Sequence, residues 1–547
     1  MFKNEFLQQK KIQDSLRRLK AEHVIQRIWD RDHTVWQDDP REITNRLGWL
    51  DIADRMREHI PRIQSFREQV QEAGMEQALL MGMGGSSLAP EVFSRIFGRK
   101  DPPLNLEVLD STDPAAIRAQ TGRLDPERTL FIVATKSGTT VETLSFFKYF
   151  YRWTVDQLGE ERAGRHFIGI TDPDSKLIQL GERYQFRDLF INDPHIGGRY
   201  SALSFFGLVP AALSGVNLER LLDRARVMAR RCRPRVDLEN NPGAVLGTLL
   251  GVYAREGRDK ATFFTPPALQ DFPNWIEQLL AESTGKNGSG ILPVVGEPAY
   301  PPEAYGEDRV FISLKLVGQS LDGSGLEPIR QAGHPLLEME LSDRYDLGGQ
   351  YFLWEFATAV AGYVLDIHPF NQPNVESAKV RAREMVRAYE EDGALPGMTS
   401  ATLTAQALSA FISEHRQHGS YIALQAFLPP TADIENHLQD LRAALREQFQ
   451  LPTTLGFGPR FLHSTGQLHK GDAGKGLFVQ ITSRPEEDIP IPDSADAVAS
   501  SIGFGTLKVA QAMGDARALQ EAGRSVIRFN LGTNPRQELQ KFIQDVQ

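Results

Sequence analysis

The sequence predicts an α/β protein in which N-terminal helices precede two successive units, each with a doubly wound parallel sheet, and a small α+β region follows. The first observation behind this prediction is a set of short apolar runs, each ending in a turn rich in Gly, Ser, Thr or Asp; the runs lie at 78–81, 106–109, 130–134 and 167–170. The second is that helix-length segments separate these runs. Strand, turn and helix in repetition are typical of a parallel sheet covered by helices.

The same alternation returns after an arginine-rich stretch at 216–240, which we interpret as a solvated helix and linker. Apolar runs then occur at 261–264, 290–295, 310–316 and 336–341, with helical segments near 243–256, 270–285, 350–366 and 374–391. In open sheets of this kind, ligands bind outside the carboxyl ends of the strands. We therefore expect the functional residues in the turns that follow the strands.

The two ends of the chain differ from its middle. Residues 1–75 show apolar residues at three- and four-residue spacing, which predicts helices. The last part mixes helices at 401–418, 433–449 and 505–522 with strands at 421–428, 477–482 and 525–531, a glycine-rich run at 456–476 and a loop at 484–496. The predicted domains are 1–75, 76–235, 236–398 and 399–547.

Composition and charge exclude several classes of protein. The formal net charge of −10 argues against broad nucleic-acid binding, and a single cysteine, Cys232, excludes an intramolecular disulfide framework. The N-terminus lacks the apolar core of a signal peptide, and no run of about eighteen apolar residues occurs. We expect a soluble, cytoplasmic protein without membrane or nucleic-acid partners.

Two turns have the residues that a phosphate group needs. Residues 82–87 (Gly-Met-Gly-Gly-Ser-Ser) follow the apolar run at 78–81, and residues 135–140 (Thr-Lys-Ser-Gly-Thr-Thr) follow the run at 130–134. Glycine lets backbone N–H groups close on an anion at a helix N-terminus, and hydroxyls add neutral donors. A tight structural turn explains the first equally well, and a threonine-rich helix cap is the alternative for the second.

These turns and four further stretches resemble the phosphoglucose isomerase family. The further stretches are Gly197-Gly198-Arg199-Tyr200-Ser201, Gln278 with Glu282-Ser283-Thr284-Gly285-Lys286, Pro369-Phe370-Asn371-Gln372-Pro373-Asn374-Val375-Glu376 with Lys379, and His463-Ser464-Thr465-Gly466-Gln467. Except for the last, they follow the family's order. The whole chain is similar to the isomerase half of fused transaldolase–isomerase chains, without the transaldolase portion.

The resemblance implies two sugar-isomerase units, reversible isomerisation of glucose-6-phosphate and fructose-6-phosphate, no metal or organic cofactor, and a homodimer. It also implies individual roles. Glu282 is the catalytic base, Arg199 lies near the reacting carbons, and Lys379 and His463 assist ring opening. The substrate, chiefly its phosphate, is held by Gly85, Ser86, Thr135, Lys136, Ser137 and Thr140, while Gln278 and Gln372 line the sugar site.

Residue types and spacing agree with the roles of the base and the cation. One carboxylate can move a proton between C2 and C1 through a cis-enediol. Gln278 and Glu282 share a helix face, although Glu282 could instead pair with Lys286 four residues later. Arg199 can stabilise the enediolate because it never loses its charge, or it can simply anchor a turn through carbonyl groups.

The ring-opening groups are predicted less directly. Gln372 and Lys379 are seven residues apart, two turns of a helix that Pro373 could begin, although Lys379 could also be a solvent-facing charge. In the family the matching histidine precedes this segment, whereas His463 follows it by more than eighty residues. His334 and His368 are therefore alternatives.

Other functions remain open at this point. The turns do not show whether mannose-6-phosphate is accepted as a second substrate in addition to glucose-6-phosphate. A non-catalytic sugar-phosphate sensor needs the turns but not Glu282, Arg199 and Lys379 together. A dehydrogenase needs the spaced glycines of a dinucleotide turn, which residues 82–87 lack. His463 and His469, six residues apart without a Cys partner, do not form a metal motif.

Overall fold

The structure, a computed structural model, describes residues 4–98, 104–319, 321, 326–395, 397 and 399–547. The first part of the chain is helical, as predicted. Its helices are α1 (Asn4–Leu7), α2 (Lys10–Ala21), α3 (Val24–Trp29), α4 (Ile52–Arg55) and α5 (Ile60–Glu72). The apolar stripe of α2, formed by Ile12, Leu16 and Leu19, is buried in the largest core of the molecule.

The first α/β unit is a five-stranded parallel sheet of order β2-β1-β3-β4-β5. In chain order its elements are β1 (Gln77–Gly82), α6 (Leu88–Phe97), β2 (Asn105–Leu109), α7 (Pro114–Thr121), β3 (Thr129–Ala134), α8 (Val141–Leu158), α9 (Glu160–Ala163), β4 (Phe167–Thr171), α10 (Lys176–Arg183), β5 (Asp188–Ile191), α11 (Phe205–Leu213) and α12 (Leu218–Arg231). Four of its strands were predicted, and β5 was not.

Alternation along β3 explains why this sheet is covered on both faces. Leu130, Ile132 and Ala134 point into the core shared with the N-terminal helices and α11. Phe131 and Val133 point to the other face and pack in a separate core with residues of α8. Because both faces are apolar, the strand reads as a continuous hydrophobic run, as is typical of parallel sheets.

The second α/β unit is a four-stranded parallel sheet of order β7-β6-β8-β9. Its elements are α13 (Pro242–Arg255), β6 (Lys260–Phe264), α14 (Phe272–Thr284), β7 (Leu292–Val294), β8 (Arg309–Leu316), α15 (Leu326–Gln331), β9 (Leu336–Leu341), α16 (Leu347–Leu365) and α17 (Val375–Asp392). Helices α13 and α16 approach closely because Gly247 faces Ala357, whose carbonyl oxygen a Cβ at Gly247 would meet at 2.4 Å.

The C-terminal region departs in detail from the α+β expectation. It contains a third parallel sheet of order β11-β10-β12-β15, and a two-stranded antiparallel hairpin pairs β13 with β14. Its elements are α18 (Ala405–His415), β10 (Tyr421–Phe427), α19 (Ala432–Phe449), β11 (Thr453–Phe457), α20 (Gly466–Gly471), β12 (Gly476–Thr482), β13 (Pro490–Ile491), β14 (Ile502–Gly503), α21 (Phe504–Glu521), β15 (Ser525–Asn530) and α22 (Pro535–Val546). The difference lies in the parallel pairing of β10, β12 and β15; the sequence analysis also missed β11, whose last two residues fall in the glycine-rich run.

With these elements in place, the α/β fold class predicted from the sequence is confirmed. The domain boundaries stay predictions. Within the ranges that the structure describes, no helix combines the length and apolar character needed to cross a membrane. Cys232 is buried, and burial raises the pKa of its thiol to about 12.

The C-terminal unit docks on the first unit through buried ion pairs. Lys508 Nζ on α21 lies 2.8 Å from Asp113 Oδ2 at the start of α7, and both side chains are buried. Arg460, which follows β11, contacts the carboxylates of Glu91 and Asp110. Buried charges are stable only when they are paired, so these contacts fix the orientation of the two units.

Replacing Lys508 with Met leaves Asp113 buried without its cation. We expect the free energy of unfolding to fall by about 3–5 kcal/mol, the usual cost of breaking a buried pair from one side. Urea denaturation followed by circular dichroism measures this change. The double variant Lys508→Met/Asp113→Asn is expected to recover part of the loss.

The matched control is Lys541→Met, which removes the surface ion pair between Lys541 and Glu538 at 2.7 Å. Exposed pairs contribute below about 1 kcal/mol, so the unfolding curve should hardly move. An equally small effect of Lys508→Met would show that the pair between Lys508 and Asp113 does not hold the units together.

Candidate active site

A cavity of about 550 Å³ lies where the loops after the strands of the first sheet meet the second and third units. Among the predicted residues only Thr135 does not line it, and its hydroxyl lies 3.0 Å from that of Thr140, which does. The predicted residues in the lining are Gly85, Ser86, Lys136, Ser137, Thr140, Arg199, Gln278, Glu282, Gln372, Lys379 and His463. The tertiary structure thus brings residues from 85 to 463 to one site.

The glycine turn after β1 permits three segments to meet. A Cβ at Gly85 would lie 2.0 Å from the carbonyl oxygen of Gly198, in the loop that carries Arg199. Gly84 has a φ of +55°, and a Cβ there would lie 2.7 Å from the carbonyl oxygen of His463. The absent side chains therefore allow the Arg199 loop and the His463 segment to pack against this turn.

The hydroxyl-rich turn after β3 leads directly into α8. Ser137 and Thr139 hydroxyls lie 2.7 Å apart, and the side chain of Thr140, the N-cap residue of α8, makes no capping hydrogen bond. The first N–H groups of a helix have no partner within the helix, and the helix dipole places partial positive charge there. This end of the cavity can therefore hold an anion with neutral donors.

Lys136 lies in the cavity wall, but its ammonium group is already paired. It contacts the carboxylate of Asp172 after β4 and donates to Pro194 O at 3.1 Å. Burial raises the pKa of Asp172, and the Lys136 cation acts in the opposite direction. Lys136 thus ties together the loops after β3 and β4 and leaves anion binding mainly to the hydroxyl and N–H groups.

Glu282 lies on α14 and lines the cavity. As predicted, it shares a helix face with Gln278, whose Nε2 donates to Glu282 Oε2 at 3.1 Å. Its other oxygen, Oε1, lies 3.4 Å from Arg199 Nη1. The alternative partner Lys286 points away and donates to His368 O and Asn371 O, at 2.8 and 2.6 Å. Glu282 is thus an oriented carboxylate inside a cavity.

Arg199 is buried and anchors the loop before α17. Its Nη2 donates to Pro369 O at 2.7 Å and to Asn371 O at 3.1 Å, and its Nη1 donates to Gln372 Oε1 at 3.0 Å. Its Nε donates to Ser283 Oγ at 2.7 Å. Gln372 lies in this loop and not on the helix, because α17 begins at Val375. The prediction that Gln372 and Lys379 share two helical turns is therefore wrong, although both residues line the cavity.

Lys379 on α17 lies at the rim of the cavity. Its side chain is 48% exposed, and its Nζ lies 3.7 Å from Glu376 Oε2. At that distance and exposure the ion pair is weak. The ammonium group thus remains available to a ligand while it contacts solvent.

His463 lies in the segment after β11, with its Nε2 2.9 Å from Glu142 Oε1 on α8. Burial acts to raise the pKa of Glu142, but the charge and hydrogen bond of His463, with help from Lys379, hold that pKa below its usual value. Glu142 therefore remains a carboxylate, and since a carboxylate only accepts, His463 Nε2 is the donor. The other ring nitrogen, Nδ1, is left to act on a ligand.

The two alternative histidines lie outside the lining of the cavity. His368 uses both ring nitrogens, since Nε2 lies 3.2 Å from Arg41 O and Nδ1 accepts from the backbone N–H of Phe370. Burial and the nearby Lys286 cation lower the pKa of His368 to about 4. The His334 ring packs against Phe311 at 5.3 Å between centroids. Both are packing residues.

Sequence reasoning missed several charged residues of the site, among them Asp172 and Asp174, which line the cavity. Arg46, from the N-terminal segment, lines the cavity, and no local pattern distinguishes it from the other arginines of that segment. Glu142 was missed although it follows the hydroxyl-rich turn by only two residues. The signal that could have identified it is an acidic residue in the first turn of a largely apolar helix, where the helix dipole favours a negative charge.

Comparisons with known proteins identify the family of this chain. The family model described as phosphoglucose isomerase matches residues 3–291, more than half of the chain. The chain belongs to the phosphoglucose isomerase family. The resemblance predicted from the short motifs is thereby confirmed at the level of the family. Within the described ranges, no group of three His, Cys, Asp or Glu side chains is arranged to hold a metal ion.

Relatives of this isomerase-family chain are named glucose-6-phosphate isomerase. One from Cyanothece sp. is 29% identical over 343 residues, 55% of this chain and 64% of that protein's length, which is just under two thirds. One from Thermus thermophilus is 28% identical over 62% of this chain and 89% of its own. The identities are modest but extend over more than half of this chain.

Solved structures share the fold. A hypothetical protein from Thermus thermophilus is 25% identical and covers 70% of this chain and 99% of its own, with a TM-score of 0.61. A glucose-6-phosphate isomerase from Chlamydia trachomatis, at 19% identity and a TM-score of 0.53, covers 68% of this chain and 78% of its own. The second similarity concerns the fold alone.

Replacing Gly85 with Ala tests the contact between the glycine turn and the Arg199 loop. The added Cβ must displace the backbone at Gly198, and displacements of this size near reacting groups cost about 100-fold in rate. We expect such a loss of kcat on fructose-6-phosphate together with a lower melting temperature, because the added methyl group overpacks a buried backbone contact. The control Gly122→Ala adds a Cβ whose nearest contact is Arg118 O at 3.3 Å. Full activity of Gly85→Ala would contradict the close-approach argument.

Proposed function

We propose that the protein catalyses the reversible isomerisation of glucose-6-phosphate and fructose-6-phosphate. The single observation that carries this proposal is Glu282, an oriented carboxylate inside a cavity whose wall also presents a hydroxyl-rich turn and a helix N-terminus. The names of the relatives support the same activity. The two ends of the cavity match the two ends of a phosphorylated sugar.

The phosphate of the substrate binds at the end formed by the loops after β1 and β3. Ser86, Ser137 and Thr140 supply hydroxyl groups, and the N-terminus of α8 supplies backbone N–H groups and partial positive charge. The sugar carbons then extend toward Glu282 and Arg199. Gln278 and Gln372 flank these two residues and bind sugar hydroxyls.

Glu282 transfers the proton between the two carbons. In the forward direction its carboxylate removes the proton from C2 of the open-chain aldose, and the electron pair moves through the C1–C2 bond to the carbonyl oxygen. The resulting cis-enediolate is reprotonated at C1 by the same carboxyl group, while the proton of the C2 hydroxyl moves to the O1 oxyanion and the C2–O bond becomes the carbonyl. Arg199 lies 3.4 Å from Glu282 and stabilises the negative oxygen of the intermediate.

Ring opening precedes this transfer and uses the other wall of the cavity. His463, held through Nε2 by Glu142, exchanges a proton with the ring oxygen or the anomeric hydroxyl, and Lys379 at the rim assists as a second donor. A histidine suits both directions because it takes up and releases a proton near neutral pH.

Cytoplasmic location and a homodimer belong to the same proposal. A single cysteine with a raised pKa fits a reducing compartment, and the family resemblance implies the dimer. Light scattering coupled to size-exclusion chromatography measures the mass in solution; a mass near 61.2 kDa would instead indicate a monomer.

The decisive test is a coupled assay from fructose-6-phosphate to glucose-6-phosphate with EDTA present, on the wild type and on Glu282→Gln. We expect wild-type turnover to survive chelation and kcat of the variant to fall at least about 100-fold, the usual scale for losing acid–base help. Calorimetry should show that the variant still binds fructose-6-phosphate, because the phosphate end is unchanged.

Two outcomes would count against this assignment. Normal turnover by Glu282→Gln would remove Glu282 from the mechanism, and a folded wild type without activity on any hexose phosphate would favour a sugar-phosphate sensor. Running the assay from mannose-6-phosphate as well shows whether the second hexose is accepted.

Replacing His463 with Ala tests the ring-opening role. We expect a loss of about 10–100-fold on fructose-6-phosphate, which is mostly a closed ring, and a much smaller loss on 5-deoxyfructose-6-phosphate, which lacks the hydroxyl that closes the five-membered ring. The control His334→Ala should match the wild type on both substrates. Equal losses of His463→Ala on the two substrates would refute a role in ring opening.

A further inference from the structure

A buried amide of the C-terminal unit contacts the carboxylate that holds His463. Gln511 on α21 donates from Nε2 to Glu142 Oε1 at 2.6 Å, and the same oxygen accepts from His463 Nε2 at 2.9 Å. The other end of the amide, Oε1, accepts from the hydroxyl of Thr112 at 2.8 Å. Thr112, Gln511 and Glu142 are all buried, and neither Thr112 nor Gln511 touches the cavity.

We propose that Gln511 is a positioning residue for ring opening, which it supports by fixing the orientation of Glu142 and thereby of His463. The proposal rests on the proposed isomerase function. It also gives the C-terminal unit a defined part in the reaction, because both Gln511 and His463 come from that unit while Glu142 and Thr112 come from the first.

The hydrogen-bond chemistry allows one arrangement of this chain of four residues. A carboxylate can only accept, so the amide nitrogen of Gln511 must face Glu142 and its oxygen must face Thr112. A donor at 2.6 Å to a buried carboxylate stabilises the ionised form. An ionised and fixed Glu142 then requires His463 to carry a proton on Nε2, which leaves Nδ1 as the ring nitrogen that can exchange a proton with a substrate.

The charged residues around Glu142 explain why its second hydrogen-bond donor is an uncharged amide. His463 and Lys379 are the side chains that lower the pKa of Glu142 against the effect of its burial. The neighbouring charges on α21 are engaged elsewhere, because Lys508 pairs with Asp113 and Asp515 pairs with Lys470. Gln511 therefore supplies a hydrogen bond to Glu142 without adding a charge that would compete with His463.

The same face of α21 also supports the helix that carries Lys379. At Gly514, three residues after Gln511, a Cβ would lie 2.7 Å from the backbone nitrogen of Ala382 and 3.0 Å from Ala378 O on α17. Residues three apart on a helix lie on one face. One face of α21 thus holds both ring-opening groups, His463 through Glu142 and Lys379 through the backbone of α17.

The test compares Gln511→Leu with Gln520→Leu in the full-length protein. Gln520 lies on the same helix but is exposed, so it is the matched control for the same chemical change. With fructose-6-phosphate we expect kcat of Gln511→Leu to fall about 10–100-fold, the range found for outer partners of a working histidine. With 5-deoxyfructose-6-phosphate we expect a loss of less than about threefold, since that substrate needs no ring opening.

A second variant, Gln511→Glu, provides a readout that a purely structural role would not move. The introduced carboxyl group can donate to Glu142 only when it is protonated, and the adjacent negative charge raises its pKa. The activity of this variant relative to wild type on fructose-6-phosphate should therefore rise as the pH falls from about 8 to about 5.5. The corresponding ratio for Gln511→Leu should not rise as the pH falls, because leucine offers Glu142 no donor at any pH.

The outcomes separate this inference from the proposed function. If kcat of Gln511→Leu falls equally on the two substrates, or on neither, the positioning role is overturned. It is also overturned if the activity of Gln511→Glu relative to wild type does not change with pH. If Gln511→Leu does not fold, Thr112→Val decides, because it frees the amide to rotate and should give the same substrate-dependent loss in weaker form. A wild type inactive on both substrates would instead overturn the proposed isomerase function.

Discussion

The buried guanidinium of Arg199 is the interaction on which the rest of the site depends. It contacts Ser283 and Glu282 on α14, Gln372, and the carbonyl groups of the loop before α17. A buried cation is costly unless its donors are satisfied, so these segments must lie around it in one arrangement. The group that we propose to stabilise an enediolate therefore also holds Glu282 and Gln372 in position.

This arrangement in turn requires close packing of backbone. The Arg199 loop lies against Gly85, where a methyl group would fall 2.0 Å from the oxygen of Gly198. Lys286, whose pKa is lowered well below its usual value by burial, ties the loop before α17 to the end of α14 through His368 O and Asn371 O. The site is thus rigid because it is built from backbone contacts as well as from side chains.

The C-terminal unit completes the site from a distant part of the sequence. His463 follows Lys379 along the chain, yet its carbonyl oxygen reaches the glycine turn after β1, and its ring reaches Glu142 on α8. Arg460 and Lys508 keep the unit in this place through buried pairs with carboxylates of the first unit. The position of a residue in the sequence therefore says little about its place in the cavity.

Much of the fold could be predicted because parallel strands carry a strong local signal. The run at 130–134 is apolar on both faces, and it is β3. The strand β5 was missed because it lies at the edge of the sheet and is only partly buried, and β11 because Gly456 and the residues after it resemble a loop. Gln372 was assigned to a helix that begins at Val375, since proline spacing alone does not fix where a helix starts.

The sequence by itself determined the strand–turn–helix order, the hydroxyl-rich and glycine-rich turns, and the pairing of Gln278 with Glu282, because all of these depend on residues a few positions apart. The tertiary structure decided which of three histidines reaches the cavity, that Lys136 is engaged by Asp172, and that Arg46, Glu142 and Gln511 belong to the site or its support. The physical reason is that these choices depend on contacts between segments up to several hundred residues apart, and such contacts are set by how the three units pack and not by any local pattern.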